Sequence, residues 1–145
     1  MDEAALRVAI VLGAESWLGT PYHAHARIRG RAGGVDCINL LAEVYGTLLL
    51  VPLDACPSYY PVDWHLHHTT ELYLDGVAKY AREFDGPPLA GDVVLFKTGR
   101  AFGHAAIVTD WPNGIHASSK DRVVTRADLM QDWLTGRDRR YFTFF

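Results

Sequence analysis

Apolar residues recur at helical spacing in the first half of the chain. Leu6 and Ile10 fall on one face of the first periodic segment, and Asp2 precedes it as an N-cap. A second apolar segment begins at Cys37, and a third, more polar one begins after Asp63. The helices predicted from these patterns cover residues 3–18, 37–49 and 63–80.

The pattern changes after the Pro87-Pro88 pair. Short segments rich in Val, Ile or Phe follow, as is typical of strands, and residues 111–114 (WPNG) form a hairpin signal. Helices followed by antiparallel strands predict an α+β fold with N-terminal helices packed on a C-terminal sheet, in one domain over residues 1–145. The predicted strands are 92–98, 104–109, 114–117, 122–125 and 140–145, with a short helix at 127–134.

Charge and hydropathy narrow the function classes. The 145 residues carry a formal net charge of −3, which does not favour sequence-independent binding of nucleic acid. No apolar run is long enough to cross a bilayer. The apolar residues 4–14 follow two acidic residues instead of the basic start of a secretory signal. We therefore expect synthesis in the cytoplasm without a signal peptide, so that any action outside depends on another route of delivery.

Cys37 stands at the predicted start of a helix, after a Gly33-Gly34 pair. Free N–H groups and the helix dipole favour an anion at this position, by up to about 2 kcal/mol. That is roughly 1.5 pKa units, which would bring a thiol from about 8.5 to near neutrality. A full thiolate at pH 7 also needs a cationic neighbour, and histidine is the usual one.

Two histidines in the second half can supply that neighbour. His104 heads one predicted strand and His116 lies on the next, twelve residues on, across a hairpin. Adjacent antiparallel strands can bring such residues together on one face. His104 can then face Cys37 while His116 fixes its tautomer, as in a catalytic triad. Taken singly, a buried cysteine or a strand histidine is more often a packing residue; the joint pattern favours catalysis.

The residues around Cys37, His104 and His116 form three short motifs: 34–40 (GVDCINL), 103–108 (GHAAIV) and 115–118 (IHAS). These resemble the catalytic motifs of the NlpC/p60 cysteine peptidases, which are papain-like enzymes of cell-wall turnover. The resemblance spans about residues 10–120, with Leu89 to Phe96 similar to a strand of that family that usually begins Pro-Gly-Asp.

The resemblance implies a papain-like fold and a role for each catalytic residue. Cys37 attacks a peptide carbonyl, His104 moves the proton, and His116 orients His104. The Cys37 backbone N–H and the Tyr22 hydroxyl stabilise the oxyanion. The implied substrate is a peptidoglycan stem peptide, cut at the γ-D-glutamyl-diaminopimelate bond.

Substrate-binding residues follow partly from the resemblance and partly from charge. Asp36 matches an acidic residue that holds the free amine of the stem, although it can equally serve as a helix N-cap. Arg27 and Arg29 can bind the carboxylates of such a stem, although a solvated loop explains them as well. Ser118 closes the third motif and is assigned to the substrate side.

A narrower resemblance is to the phage-tail and gene-transfer-agent branch, with tail or tail-like particle proteins as implied partners. It rests on Thr20-Pro21-Tyr22 and on residues 57–60 (PSYY) and 63–64 (DW). Ile38 and Asn39 replace the Ser-Gly that usually follows the nucleophile. The alternatives are a cell-wall amidase, a secreted antibacterial effector of the same fold, or an inactive tail-assembly module.

No metal or other cofactor is expected. His65 and His68 share a helical face, but His67 points away, and no CxxC or HExxH spacing is present. A polar helix over the cleft is the simpler interpretation of this segment.

Overall fold

The computed structural model describes residues 1–55 and 71–145. Two of the helices confirm the sequence prediction, one in each of the first two apolar segments. The third covers the end of the predicted segment 63–80, whose first part, with His65, His67 and His68, lies outside the described residues. The helices are α1 (Glu3–Glu15), α2 (Cys37–Thr47) and α3 (Leu72–Ala78).

An antiparallel six-stranded sheet forms the second half of the chain. Its strands lie in the order β3-β8-β4-β5-β6-β7. A separate pair, β1 (Arg27–Ile28) and β2 (Gly34–Val35), belongs to the loop before α2. The large sheet consists of β3 (Arg82–Phe84), β4 (Val93–Lys97), β5 (Phe102–Asp110), β6 (Asn113–Ser118), β7 (Val123–Asp128) and β8 (Arg139–Thr143).

All five predicted strands are present, and the expected hairpin joins β5 to β6. The helix predicted at 127–134 is wrong. Its first residues continue β7, where Ala127 pairs with Gly114 and Asp128 with Asn113. Only a 3-10 turn, Asp132–Leu134, follows. Strand β3 was not predicted, because a three-residue edge strand with two exposed charged residues carries no apolar alternation.

The sheet is buried on both faces. Alternate residues of β4 and β5, such as Leu95 and Ile107, pack with α1 and α2 in the main core. The other face holds a smaller core around Phe96, Val108 and Leu134. Burial on both faces explains why these strands read as nearly continuous apolar runs. The predicted α+β class, with helices packed on an antiparallel sheet, is confirmed.

One feature of the sheet positions the candidate site. Strands β5 and β6 are paired only near their hairpin, from Asp110↔Asn113 to Ile107↔Ile115. Towards its start, β5 stays paired with β4 up to His104 and Phe102, while the end of β6 pairs with β7 up to Ser118. The start of β5 and the end of β6 therefore diverge, and the amino end of α2 approaches this opening. In the described part of the chain, no helix is long and apolar enough to cross a bilayer.

Candidate active site

Asp36 fixes the start of α2 and therefore the position of Cys37. One carboxylate oxygen accepts from the Asn39 N–H at 2.9 Å, and the other accepts from the His25 N–H at 2.8 Å. The first bond is a helix N-cap and the second ties the preceding loop to the helix. Asp36 is buried, and its bond to Asn39 is buried with it, whereas the bond to His25 is partly buried.

The loop before α2 is packed too tightly for side chains at its glycines. A Cβ on Gly33 would overlap the Ile28 carbonyl, and a Cβ on Gly34 would lie 2.6 Å from the His23 Cβ. The same segment anchors Tyr22, whose backbone bridges to Val35. This close packing is the physical reason for the Gly-Gly pair ahead of the nucleophile candidate.

The Cys37 sulfur lies against the start of β5. It is 3.9 Å from the Gly103 carbonyl oxygen, and the Ala105 N–H is directed at it. These two residues flank His104, so the thiol contacts β5 on either side of that histidine. The thiol occupies the place where β6 has diverged from β5, and the Tyr73 side chain approaches it as well.

Burial keeps the resting Cys37 thiol in its protonated form. Burial is the largest cause and the Asp36 carboxylate adds to it, so that the pKa of Cys37 is raised to about 12, although Tyr73 and the backbone N–H groups of Ala105 and Ile38 act in the opposite direction. The helix terminus alone had predicted a thiol titrating near neutrality. Desolvation outweighs that dipole here because only 8% of the residue is exposed.

His104 and His116 form a buried pair in the opening between β5 and β6. His104 Nε2 lies 2.8 Å from His116 Nδ1, and the ring centroids are 5.0 Å apart. The β5–β6 register would place His116 opposite Ala106, so the two histidines are diagonal neighbours on one face. A short bond between two imidazoles requires that one nitrogen donates and the other accepts.

Burial also sets the charge of His116. It lowers the pKa of His116 to about 4, although the charges of Asp121 and Asp132 act in the opposite direction. His116 is therefore neutral at pH 7 and retains a lone pair. Its Nε2 atom is buried without a hydrogen-bond partner among the described residues.

Trp133 was not identified from the sequence and lies against both histidines. Its ring centroid is 4.9 Å from that of His104 and 6.2 Å from that of His116, nearly parallel to the latter. Arg137 packs on the indole and donates to the Trp133 carbonyl at 2.7 Å. No sequence signal marked this residue, because the segment was predicted as a helix.

Tyr22 lies near the thiol, as the sequence reasoning expected. Burial raises its pKa, and the ionised forms of Cys37 and Asp36 add to the effect. The phenol is therefore protonated at neutral pH and can donate a hydrogen bond. The Tyr73 side chain also approaches the sulfur, from α3.

Comparison with known proteins places this arrangement in a known fold. No protein-family model matches the chain, and no curated protein sequence matches it. Solved structures do match. The NlpC/p60 domain of the peptidoglycan hydrolase SagA is 18% identical with a TM-score of 0.61, over 92% of this chain and 96% of that domain. The chain has the fold of an NlpC/p60 domain.

Two further structures extend the NlpC/p60 likeness. The peptidoglycan hydrolase RipB from Mycobacterium tuberculosis is 16% identical with a TM-score of 0.66, over 99% of this chain and 68% of RipB. NlpC1 from Trichomonas vaginalis is 18% identical with a TM-score of 0.66, over 98% of this chain but 45% of its own length. The papain-like fold expected from the motifs is therefore confirmed.

The proposed substrate residues Ser118, Arg27 and Arg29 each bond to another residue of the chain. Ser118 is buried and donates to Asp121 at 2.8 Å, so its hydroxyl is engaged in a turn of the NlpC/p60 fold. Arg27 pairs with Glu43 on α2 at 2.9 Å. The exposed Arg29 bonds the Ser16 hydroxyl at 2.9 Å. Their substrate roles stay predictions.

Only part of the narrower resemblance falls within the described residues. Thr20 and Tyr22 are described, whereas residues 57–60 and 63–64 lie outside the described part. Ile38 packs against the main core and Asn39 is buried at the start of α2. Within residues 1–55 and 71–145, His, Cys, Asp and Glu do not form a group of three that could hold a metal ion.

Proposed function

We propose that this chain is a cysteine peptidase of the NlpC/p60 type that hydrolyses peptidoglycan stem peptides through Cys37, His104 and His116. The observation that carries the proposal is the hydrogen bond between His104 Nε2 and His116 Nδ1 beside a cysteine at the start of a helix. The solved structures with this fold include peptidoglycan hydrolases, which supports the substrate class.

The histidine pair supports a defined route for the proton. His104 uses Nε2 towards His116, so Nδ1 is the nitrogen that takes the proton of the Cys37 thiol. The resulting imidazolium donates from Nε2 to His116 Nδ1. His116 accepts because its low pKa keeps it neutral. A protonated His116 would have no lone pair and would repel the new charge.

The reaction follows from these roles. The Cys37 sulfur bonds to the carbonyl carbon as its proton moves to His104. The C–N bond then breaks, and His104 gives that proton to the leaving amine. A water molecule attacks the thioester, losing a proton to His104, and the released sulfur is protonated again. The acid product and the free thiol complete the cycle.

Two donors are available for the oxyanion. The Cys37 N–H lies in the first turn of α2, where backbone N–H groups have no helical acceptor. The protonated Tyr22 phenol is the second donor. One such donor is typically worth about 10²–10³ in rate.

The remaining site residues are of types that suit the amine and the carboxylates of a stem peptide. The Asp36 carboxyl group lies next to the nucleophile, which suits the free amine of a stem, and Arg27 and Arg29 suit its carboxylates. We assign cleavage to the γ-D-glutamyl-diaminopimelate bond. The enzyme would act on the cell wall after delivery, for example as part of a phage-tail or tail-like particle.

Digestion of purified sacculi, with product masses, tests the proposal. Cleavage at the γ-D-glutamyl bond releases fragments that begin with a free diaminopimelate amine and leaves L-alanyl-D-glutamate on the sugar. An amidase would instead release whole stems, and an antibacterial effector could give either pattern. No soluble product from wild-type protein would leave the inactive tail-assembly module as the remaining interpretation.

The inactive module has one observation in its favour. The Cys37 thiol is buried and protonated in the resting structure, as a packing cysteine would be. The peptidase proposal therefore has to explain how a substrate reaches the sulfur.

A further inference from the structure

The nucleophile and base of the proposed reaction are both covered in this structure. Cys37 is 8% exposed and His104 is 4% exposed. The proposed chemistry requires a carbonyl carbon within bonding distance of the sulfur, along a defined line of attack. No substrate can make that approach while the present neighbours of the sulfur stay in place.

Tyr73 on α3 is the neighbour that covers the sulfur from outside the sheet. Its side chain is 5% exposed and belongs to the main core together with Cys37 and Phe102. Its side chain lies close enough to the thiol to favour the anionic form of the sulfur. Among the described groups that reach the sulfur, Gly103, Ala105 and Ile38 belong to β5 and α2, which are elements of the main core. Within that described set, Tyr73 lies on the separate short helix α3.

A side-chain hydrogen bond attaches the beginning of helix α3 to the sheet. The Glu71 side chain accepts from the Phe102 N–H at 3.0 Å, at the start of β5. That carboxylate makes no capping bond to its own helix. The Glu71 bond therefore fastens the beginning of α3 over the opening, one residue before the Gly103 carbonyl that contacts the thiol.

The rest of α3 is held by Leu74 and Val77, which are only partly buried against the main core. The helix has seven residues, and an isolated helix of that length is not stable in water. Its outer side is open: Leu72 is 43% exposed, and a Cβ on Gly76 would have no neighbour within 4 Å. Few buried contacts and many exposed groups are the properties of segments that open at low cost.

We propose that α3 is a movable cover of the nucleophile, in which Tyr73 controls the access of the scissile carbonyl to Cys37 and Glu71 is the latch that holds the cover closed. The inference rests on the proposed function and deepens it. The stem peptide enters by displacing Tyr73 from the sulfur, and α3 then forms one wall of the substrate cleft. Displacement also exposes the thiol to the general base, so binding and activation occur together.

The rate at which iodoacetamide alkylates Cys37 in the native protein tests this, with Cys37 followed separately from Cys56 by peptide mapping. Tyr73→Ala removes the cover and is expected to raise the rate at pH 8 by about tenfold or more, because exposure restores thiolate. Glu71→Ala frees the latch and is expected to raise it by a smaller factor. Tyr73→Phe keeps the ring over the sulfur and is expected to stay within about threefold of wild type.

Leu72→Ala is the matched control, since it truncates an exposed side chain on the same helix and is expected to leave the rate unchanged. Amide hydrogen exchange of β4 and β5 separates opening of α3 from unfolding of the domain. The proposal is overturned if Tyr73→Ala and Glu71→Ala both react at the wild-type rate. It is equally overturned if their faster alkylation is matched by faster exchange throughout β4 and β5.

Alkylation does not depend on peptidoglycan, so the cover and the proposed function can fail separately. Faster alkylation of Cys37 in Tyr73→Ala, for a protein that cleaves no stem peptide, would support the cover and contradict the peptidase. If the wild-type protein cleaves stem peptides and its Cys37 is alkylated as fast as in Tyr73→Ala, the peptidase is supported and the cover is contradicted.

Discussion

The Nε2 atom of His104 lies 2.8 Å from Nδ1 of His116, and the bond is buried where β5 and β6 diverge. Its position depends on the divergence, since fully paired strands would fill the opening with a continuous ladder. The same divergence leaves the Gly103 carbonyl and the Ala105 N–H directed at the thiol of Cys37. The candidate triad therefore forms where β5 and β6 stop pairing with each other, while each stays paired with its outer neighbour.

His116 is expected to make the protein less stable in acid. Burial lowers its pKa from about 6.5 to about 4, so the unfolded chain binds a proton in this range that the folded chain does not. Stability is therefore full above pH 6.5 and falls as the pH drops towards 4, by about 3 kcal/mol from this group. Urea unfolding at pH 7, 5.5 and 4 measures the slope.

The variant His116→Gln has no titrating group at position 116. Its free energy of unfolding should therefore fall less between pH 6.5 and pH 4 than that of wild type. His23→Gln, at an exposed histidine, should show the same fall as wild type. Equal slopes in wild type and His116→Gln would mean that His116 is not held neutral by burial.

Trp133 is expected to support the charge that develops on His104. The indole lies 4.9 Å from the His104 ring and shields the bond to His116 from water. Replacement by leucine removes a cation–π contact of about 1–2 kcal/mol with the imidazolium, so kcat should fall roughly tenfold while KM changes little. Initial rates on a soluble stem peptide measure both constants.

Trp111→Leu provides the control for that change. Trp111 packs against Tyr141 on the same side of the sheet, with ring centroids 5.5 Å apart, away from the histidine pair. It should alter stability without a comparable loss of kcat. Similar kcat values for Trp133→Leu and wild type would show that Trp133 does not support the charge on His104.

Asp36 is expected to matter more for stability than an ordinary helix cap. Its carboxylate accepts from the buried N–H of Asn39 and from the partly buried N–H of His25, and Asp36→Ala removes the acceptor of both bonds. We expect a loss of about 2–3 kcal/mol in the free energy of unfolding. Asp2→Ala removes the exposed cap of α1, which bonds Ala5 at 2.8 Å, and should cost about 1 kcal/mol. Equal losses would show that the second bond, to His25, adds nothing.

The sequence was sufficient for the parts of the site that depend on local pattern. A cysteine at a helix start and two histidines across a hairpin can be read from glycine placement, strand propensity and turn residues, and the structure brings the three segments together. Fold class follows from the same patterns, because helical and strand periodicities occupy different halves of the chain.

The remaining features depend on contacts between distant segments. Tyr73 is 36 residues from Cys37 and Trp133 is 17 residues from His116, so neither contact leaves a local signal. The pKa of the thiol was misjudged for the same reason. A helix terminus is visible in sequence, whereas desolvation depends on what α3 and β5 place around the sulfur.

The central claim, that Cys37 is the nucleophile, is tested most directly by comparing Cys37→Ala and Cys56→Ala in release of soluble fragments from purified sacculi. Our account predicts that Cys37→Ala folds like wild type and releases nothing above background, while Cys56→Ala, at the other cysteine of the chain, retains activity. Release at the wild-type rate by a folded Cys37→Ala protein would contradict it.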